Sequence, residues 1–193
     1  MAKFPNPTAY TGSAASESKS GVVKLANSNE VVDANNAKDA VSPKGLDTKL
    51  AQSGYVQWED VTVSNAEIKA LRASPKELVA APAAGSVHMF LGAQLKLNYG
   101  GTNAFTETAD NLAIKYENGS GVAVSDTIES TNFIDATADT LTSAVPVADA
   151  IVAASGAEAK ALVLHNTGDG EIAGNAADDN TMTLRIYYVT HAL

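Results

Sequence analysis

Residues Ser86–Tyr99 read SVHMFLGAQLKLNY. Val87, Met89, Leu91, Ala93, Leu95, Leu97 and Tyr99 alternate with His88, Phe90, Gly92, Gln94, Lys96 and Asn98. This period of two, held over about thirteen residues, belongs to a β-strand, whose successive side chains point to opposite faces. One face is apolar and the other mixed. That pattern predicts a long antiparallel strand packed on one side, with the Val87-to-Tyr99 set on the core face. Gly92 in the middle marks a bend or bulge, and Gly100-Gly101 ends the strand.

Outward from this strand, the sequence keeps reading as β. Tyr55–Val63, YVQWEDVTV, is rich in aromatic and β-branched residues and predicts a strand. Ser64-Asn65-Ala66-Glu67 has the form of a capping box, with Ser64 as N-cap and Glu67 at the third helical position. The helix it opens should run to about Ala73, presenting Ile68, Leu71 and Arg72, until Pro75 stops or restarts it. Leu112, Ile114 and Tyr116 define another strand. Asn118-Gly119 is a turn pair, Gly121–Val124 the returning strand and Thr127–Ile134 a weaker one. Residues 137–154 are alanine-rich and interrupted by Pro146, and loop, short helix and strand all fit them. Ala159–Asn166 is a strand, Thr167–Asn180 a polar loop, and Thr181–Thr190 a closing strand with Met182, Leu184, Ile186 and Tyr188 on one face. Strands follow one another without helices of 10–15 residues between them, which argues against a parallel α/β sheet. The expected fold is mainly β, with residues 54–193 an antiparallel β-sandwich of jelly-roll type.

Composition narrows the function classes. Of 193 residues, 45% are apolar, enough for a real core, and only 18% are charged, so Ser, Thr, Asn and Ala must cover much of the surface. The net charge is −9, and lysine and arginine are scattered singly. A chain this acidic needs a local basic patch to bind nucleic acid, and none is evident. The absence of cysteine removes disulfides, thiol nucleophiles and Cys-based metal sites together. No apolar run approaches the length of a membrane span, and MAKFPNPTAYTGSA does not read as a secretory signal.

The N-terminal third differs in kind. In residues 1–15, Pro5 and Pro7 forbid a helix and push Phe4 and Asn6 toward extended backbone. Phe4 and Tyr10 are then aromatics in a segment with no core of its own. Either they are incidental to a flexible leader, or the segment is an arm whose aromatics anchor in a partner. We take the arm, with Phe4, Pro5, Pro7 and Tyr10 as its docking residues. Residues 16–53 form a second module with few apolar side chains, too small to fold alone without cysteine or zinc. It must fold against something else, most simply copies of itself. Val22–Ala26 predicts a short strand. Ser42-Pro43 predicts a helix start, with Ser42 capping and Pro43 at the first helical position. Leu46 and Leu50 then share one helix face. They either meet their counterparts about a three-fold or pack on the chain's own downstream domain.

This module also carries a resemblance. SESKSGVVKLA, an acidic and alanine-rich spacer, and DAVSPKGL resemble the short repeat of tailed-bacteriophage fibre proteins, through Gly21, Val22, Val23, Leu25, Ala26, Ala40, Val41, Ser42, Pro43 and Leu46. Lys38 and Asp39 stand where that family usually has Thr-Arg. The match occurs once and covers roughly a fifth of the chain. It implies a homotrimeric virion protein without a catalytic site. Val22, Val23, Leu25, Val41, Pro43, Leu46 and Leu50 would then form the trimer and anchor module. The arm would dock on another virion protein, most simply the major capsid protein. Such a protein would sit on the capsid surface rather than the tail, as a head fibre or decoration protein. The alternative it implies is a tail-fibre tip that recognises a host surface glycan, through loops such as 100–111 and 166–180.

Catalytic chemistry is weakly signalled. His88, His165 and His191 are the three histidines, with no Gly-x-Ser-x-Gly elbow and no His-x-x-x-His spacing. His88 and His165 fall in predicted strands and read as packing or surface residues. Asn166–Glu171 and Asp178-Asp179-Asn180 carry oxygen ligands, but lack the calcium-loop pattern and look like ordinary turns. Gly100-Gly101-Thr102-Asn103 lacks the lysine and following helix of a phosphate loop. The expectation is no enzyme, no cofactor and no metal. A small polysaccharide hydrolase is the reading from another class, and it would need two carboxylates converging in a groove.

Overall fold

A computed structural model describes residues 25–26, 40–41, 54–107, 110–148 and 151–193. The chain divides into two compact units, Met1–Ser53 and Gly54–Leu193. In the first, β1 (Leu25–Ala26) pairs in parallel with β2 (Ala40–Val41). Phe4, Pro5, Pro7, Tyr10, Val22, Val23, Pro43, Leu46 and Leu50 lie outside the described residues, as does the helix expected after Ser42.

The second unit is built from antiparallel sheets. β3 (Gln57–Val63), β5 (Ser86–Asn98), β8 (Thr140–Ala144) and β11 (Thr181–Ala192) form a four-stranded sheet in the order β3-β11-β5-β8. β4 (Lys76–Val79), β7 (Leu112–Tyr116) and β9 (Leu162–Asn166) form a second sheet in the order β4-β9-β7. The segment after β7 extends that sheet through single bridges, Lys115 with Ala123 and Leu112 with Ile128. Counting that segment, the eight elements divide four and four between two antiparallel sheets, consistent with a β-sandwich, and the first and closing strands are neighbours in the four-stranded sheet. β6 (Phe105–Thr106) and β10 (Ala173–Gly174) make a small separate ladder.

The two sheets share one core. Leu95, Leu97, Met182, Leu184 and Ile186 from the first meet Leu112, Ile114, Leu162 and Leu164 from the second in a single buried cluster. Burying such a side chain is worth about 1.5–3 kcal/mol, so this cluster is the main force holding the sheets together. The closing strand behaves as its period predicts, with Met182, Leu184, Ile186 and Tyr188 all buried.

The long strand does not. Its register against β11 slips between Tyr187 and Tyr188, where Gly92 opposes Tyr187, Phe90 opposes Tyr188 and Leu91 has no partner. Gly92 adopts φ +153, a conformation side chains rarely take. One extra residue in a strand reverses the facing of everything beyond it. Ala93, Leu95 and Leu97 therefore face the core as expected, but before the bulge the core side is taken by His88 and Phe90. Met89 and Leu91 are left 46% and 36% exposed on the outer face. The expectation that the whole Val87-to-Tyr99 set shares the core face is corrected by this slip.

The capping box forms as read. Ser64 N–H donates to Glu67 Oε2 at 2.8 Å, Glu67 N–H donates to the Ser64 hydroxyl at 3.4 Å, and Lys76 donates to Glu67 Oε1 at 2.5 Å. The helix, α1, is only Asn65–Lys69, because Ala70 leaves helical geometry and the chain turns before Pro75. Ile68 and Leu71 are fully buried and Arg72 is exposed. The Lys76 hydrogen bond, helped by the Ser64 amide and hydroxyl, draws the Glu67 carboxyl from 4.5 down to about 2. A folded value below the unfolded one stabilises above the unfolded value and is lost as pH falls through the folded one. Glu67→Ala should therefore cost about 1 kcal/mol at pH 7, a modest figure because the side chain is 42% exposed. Urea titrations of the two proteins should converge as pH drops from 4.5 toward about 2. A difference that persists undiminished at the acid end would refute the ionised cap.

Candidate interaction face

The three histidines do not meet at one place: His88 and His191 border a common pocket of about 390 Å³, and His165 belongs to the other sheet. His88 is inside the sandwich at 4% exposure. Its Nε2 lies 2.9 Å from the Ala80 carbonyl and its Nδ1 3.1 Å from the Thr190 hydroxyl. The carbonyl can only accept, so Nε2 carries the ring proton and Nδ1 accepts from Thr190. Its ring meets Tyr188 edge-on at 4.9 Å. Burial pushes its pKa below the usual histidine value, against the opposing pull of the Ala80 carbonyl. His165 lies on β9 in the other sheet and is buried beneath the Asn118–Ser120 turn. Burial lowers its pKa first, and the Lys115 charge lowers it further. His191 is exposed at the far end of β11.

The two polar loops are brought together, and asparagines lock them. Asn175 donates to the Asn103 carbonyl at 2.5 Å and to Asp179 Oδ1 at 2.7 Å. Its own side-chain oxygen accepts from Asn65 Nδ2 at 2.5 Å and from Asn180 N–H at 3.1 Å. Asn180 in turn donates to the Asn103 carbonyl at 2.9 Å and accepts from Gly100 N–H at 2.8 Å. Three of the loop carboxylates are occupied: Asp178 by Lys69, Asp179 by Asn175, and Glu171 by the Arg72 and Ala73 amides. Among the described residues no three His, Asp or Glu side chains group as a metal site would require.

The most distinctive surface is the outer face of the four-stranded sheet. Cross-strand register arranges it in rows. Trp58, Tyr187 and Gly92 form one row, Asp60, Arg185, Gln94 and Ser143 the next, and Thr62, Thr183, Lys96 and Leu141 the third. Arg185 grips Asp60 with two bonds, Nε at 2.6 Å and a terminal nitrogen at 2.7 Å, while its guanidinium carbon lies 4.5 Å from the Trp58 ring centre. The Arg185 hydrogen bond holds the Asp60 carboxyl below its usual range. Lys96 meets Asp139 Oδ2 at 2.6 Å, and together with the Tyr99 amide it depresses that carboxyl too. Exposed pairs of this kind add little stability; they fix side-chain positions. Between them lies a shallow depression of about 420 Å³, with Asp60, Gln94, Lys96, Thr183 and Arg185 around it and Leu141 as its apolar wall.

Trp58, Leu141 and Tyr187 stand 55%, 61% and 37% exposed on this face, joined by Met89 and Leu91 from beyond the bulge. The sequence reading gave Trp58, Leu141 and Tyr187 no role and placed Met89 and Leu91 on the core face. The strand alternation in YVQWEDVTV carried the signal for Trp58, but the outward turn of Met89 and Leu91 depends on the bulge. Of the residues assigned to the anchor module, only Leu25 and Val41 are described, each in the β1–β2 ladder.

No protein-family model matches the chain, and no curated protein matches it. Among solved structures, it is similar to a chain of the cyanophage Pam1 capsid asymmetric unit, at 13% identity and TM-score 0.40 over 70% of this chain and 85% of that one. It is also similar to a chain of the capsid of Ralstonia phage GP4, at 14% identity and TM-score 0.36 over 70% of this chain and 83% of that one.

Proposed function

We propose that this chain is a non-enzymatic structural protein of a tailed-phage virion: a trimeric short head fibre or capsid decoration protein, docked through its N-terminal arm. The observation that carries this reading is the joining of two parts in one chain. A stretch at residues 16–51 resembles the phage fibre repeat, and a unit of two antiparallel sheets at residues 54–193 follows it. Phe4, Pro5, Pro7 and Tyr10 are the docking residues, and Val22, Val23, Leu25, Val41, Pro43, Leu46 and Leu50 hold the copies together and to the particle. The non-enzymatic part is supported by the histidines, since His88 and His165 are enclosed in different sheets. Deleting residues 1–15 is expected to leave a folded, soluble, still-assembled protein that no longer co-purifies with virions. Particles that incorporate the truncated protein at the parental level would remove the arm from the reading.

A second reading, a tail tip that recognises a host glycan, is favoured by one observation. The asparagine network holds residues 100–106 and 173–180 as a rigid polar tip, a form suited to presenting hydrogen-bonding groups to a sugar. Imaging virions that carry a C-terminal label separates the two readings. Label over the head shell supports the decoration protein, and label at the tail tip supports the receptor binder.

A further inference from the structure

We infer that the outer face of the four-stranded sheet is where copies of this chain meet, so that the assembled protein buries Trp58, Met89, Leu91, Leu141 and Tyr187 against a second copy. This inference rests on the assembly proposed above and names the surface of the jelly-roll unit that takes part in it.

The two sheets of the sandwich are treated differently by their own chain. On the outside of the second sheet, Ala113, Val163 and His165 are 5%, 3% and 8% exposed although they lie outside the main core cluster. The Asn118–Ser120 turn folds over that sheet closely enough that a Cβ on Gly119 would sit 2.5 Å from His165 Nε2. The chain thus covers this side itself. On the outside of the first sheet the segment at Gly54 comes up against Val189, which is 5% exposed, but elsewhere on that face, among the described residues, five large apolar side chains stand at 36–61% exposure. Trp58 and Tyr187 adjoin in register next to the bulge that turns Leu91 outward, and Leu141 lies across the Arg185–Asp60 row from them; large apolar side chains gathered on one open face mark an interaction site. Tryptophan, tyrosine, methionine and arginine are the residues enriched where proteins meet, and Trp58, Tyr187, Met89 and Arg185 are all present on this face.

Charge selects the occupant. On this face Arg185 is paired with Asp60 and Lys96 with Asp139, so its charges cancel internally. The chain as a whole carries −9. Two copies repel through most surfaces that they could offer, and a charge-cancelled apolar face lets them approach. A basic partner would be better met by unpaired carboxylates, and an acidic one by free cations. Size agrees as well. Strands spaced about 4.8 Å apart, two long and two short, give the face roughly 550 Å² in projection. Side-chain relief raises this toward the roughly 800 Å² that each partner buries in an ordinary stable interface.

Trp58 is the chain's single tryptophan, so its fluorescence reports on this face directly. In the full-length protein, followed by sedimentation equilibrium across a concentration range, the assembled species should show blue-shifted Trp58 emission. Acrylamide quenching should be several-fold slower than in the protein diluted to monomer. Leu91→Lys with Tyr187→Lys should restore fast quenching and weaken assembly at least tenfold, with an unchanged far-ultraviolet circular dichroism spectrum. An assembled protein whose Trp58 is quenched as fast as in the monomer would overturn the inference while leaving assembly through residues 16–51 intact. A protein that stays monomeric at every concentration would overturn both. The wild-type measurement decides the matter even if the double variant fails to fold.

Discussion

Gly121→Ala is expected to lower the urea midpoint of the protein sharply. A Cβ at this position would lie 1.6 Å from the Tyr116 carbonyl oxygen and 2.8 Å from its carbon. Both atoms belong to backbone, so no side-chain rotation relieves the overlap. The segment cannot back away cheaply either, because Tyr116 N–H donates to the Val122 carbonyl at 3.0 Å and Gly121 N–H donates to the Asn118 carbonyl at 3.0 Å. That turn joins β7 to the segment that extends the second sheet, and Tyr116 itself anchors to the His88 carbonyl at 2.6 Å. Opening the turn thus loosens both sheets at once. A clash of this type costs upward of about 3 kcal/mol, against a total stability on the order of 5–15 kcal/mol for a domain. Urea unfolding followed by circular dichroism measures it. A variant with the parental midpoint would show that this turn is not built as described.

Asn175→Ala should produce the next largest loss, about 2–3 kcal/mol, and a local one. The substitution removes two donated and two accepted hydrogen bonds from a residue that is 1% exposed. It strands the buried Asn180 amide and takes one of two partners from Asn65 Nδ2, which keeps the Asn180 carbonyl, and from the Asn103 carbonyl, which keeps Asn180 Nδ2. Each buried group so stranded costs about 1–3 kcal/mol. Asparagine also suits the site's backbone, which sits at φ 40, better than alanine does. The loss should appear first as faster hydrogen exchange at the Gly100 and Asn180 amides, whose partners belong to the network. Core amides of β11 should follow only near global unfolding. If exchange at Gly100 and Asn180 is unchanged, the network does not hold the loops. Asn65→Ala combined with Asn175→Ala should cost less than the sum of the two, because both remove the same bond.

Local chemistry was readable where it acts over a few residues. Ser64 and Glu67 form their box because both partners lie within one turn of chain, so nothing distant can override them. The alternation in β11 holds because four apolar residues two apart can face a core in only one way. Lys76–Val79, KELV, gives the opposite case. It has no strand-forming run of its own and is a strand because Lys76, Glu77 and Val79 pair with Leu164, Val163 and Leu162 far along the chain. β8 is similar: within an alanine-rich stretch that fits three states, pairing with β5 from Ala93 to Leu97 selects the extended one.

The candidate face divides along the same line. Trp58, Arg185 and Tyr187 lie on predicted strands, but their meeting is a matter of register between β3 and β11, set by pairing across more than a hundred residues. The bulge at Gly92 was suggested by a glycine in a strand, yet its effect on facing required the partner strand that it slips against. The sequence by itself determined the class of this protein: mainly β, antiparallel, acidic, cysteine-free, with a compositionally distinct N-terminal third. Strand periods, caps and charge are properties of neighbouring residues and need no fold to exist. Only the tertiary structure decided which loops lock together and which apolar residues turn outward. Those outcomes depend on contacts between segments whose separation along the chain carries no information about their distance in space.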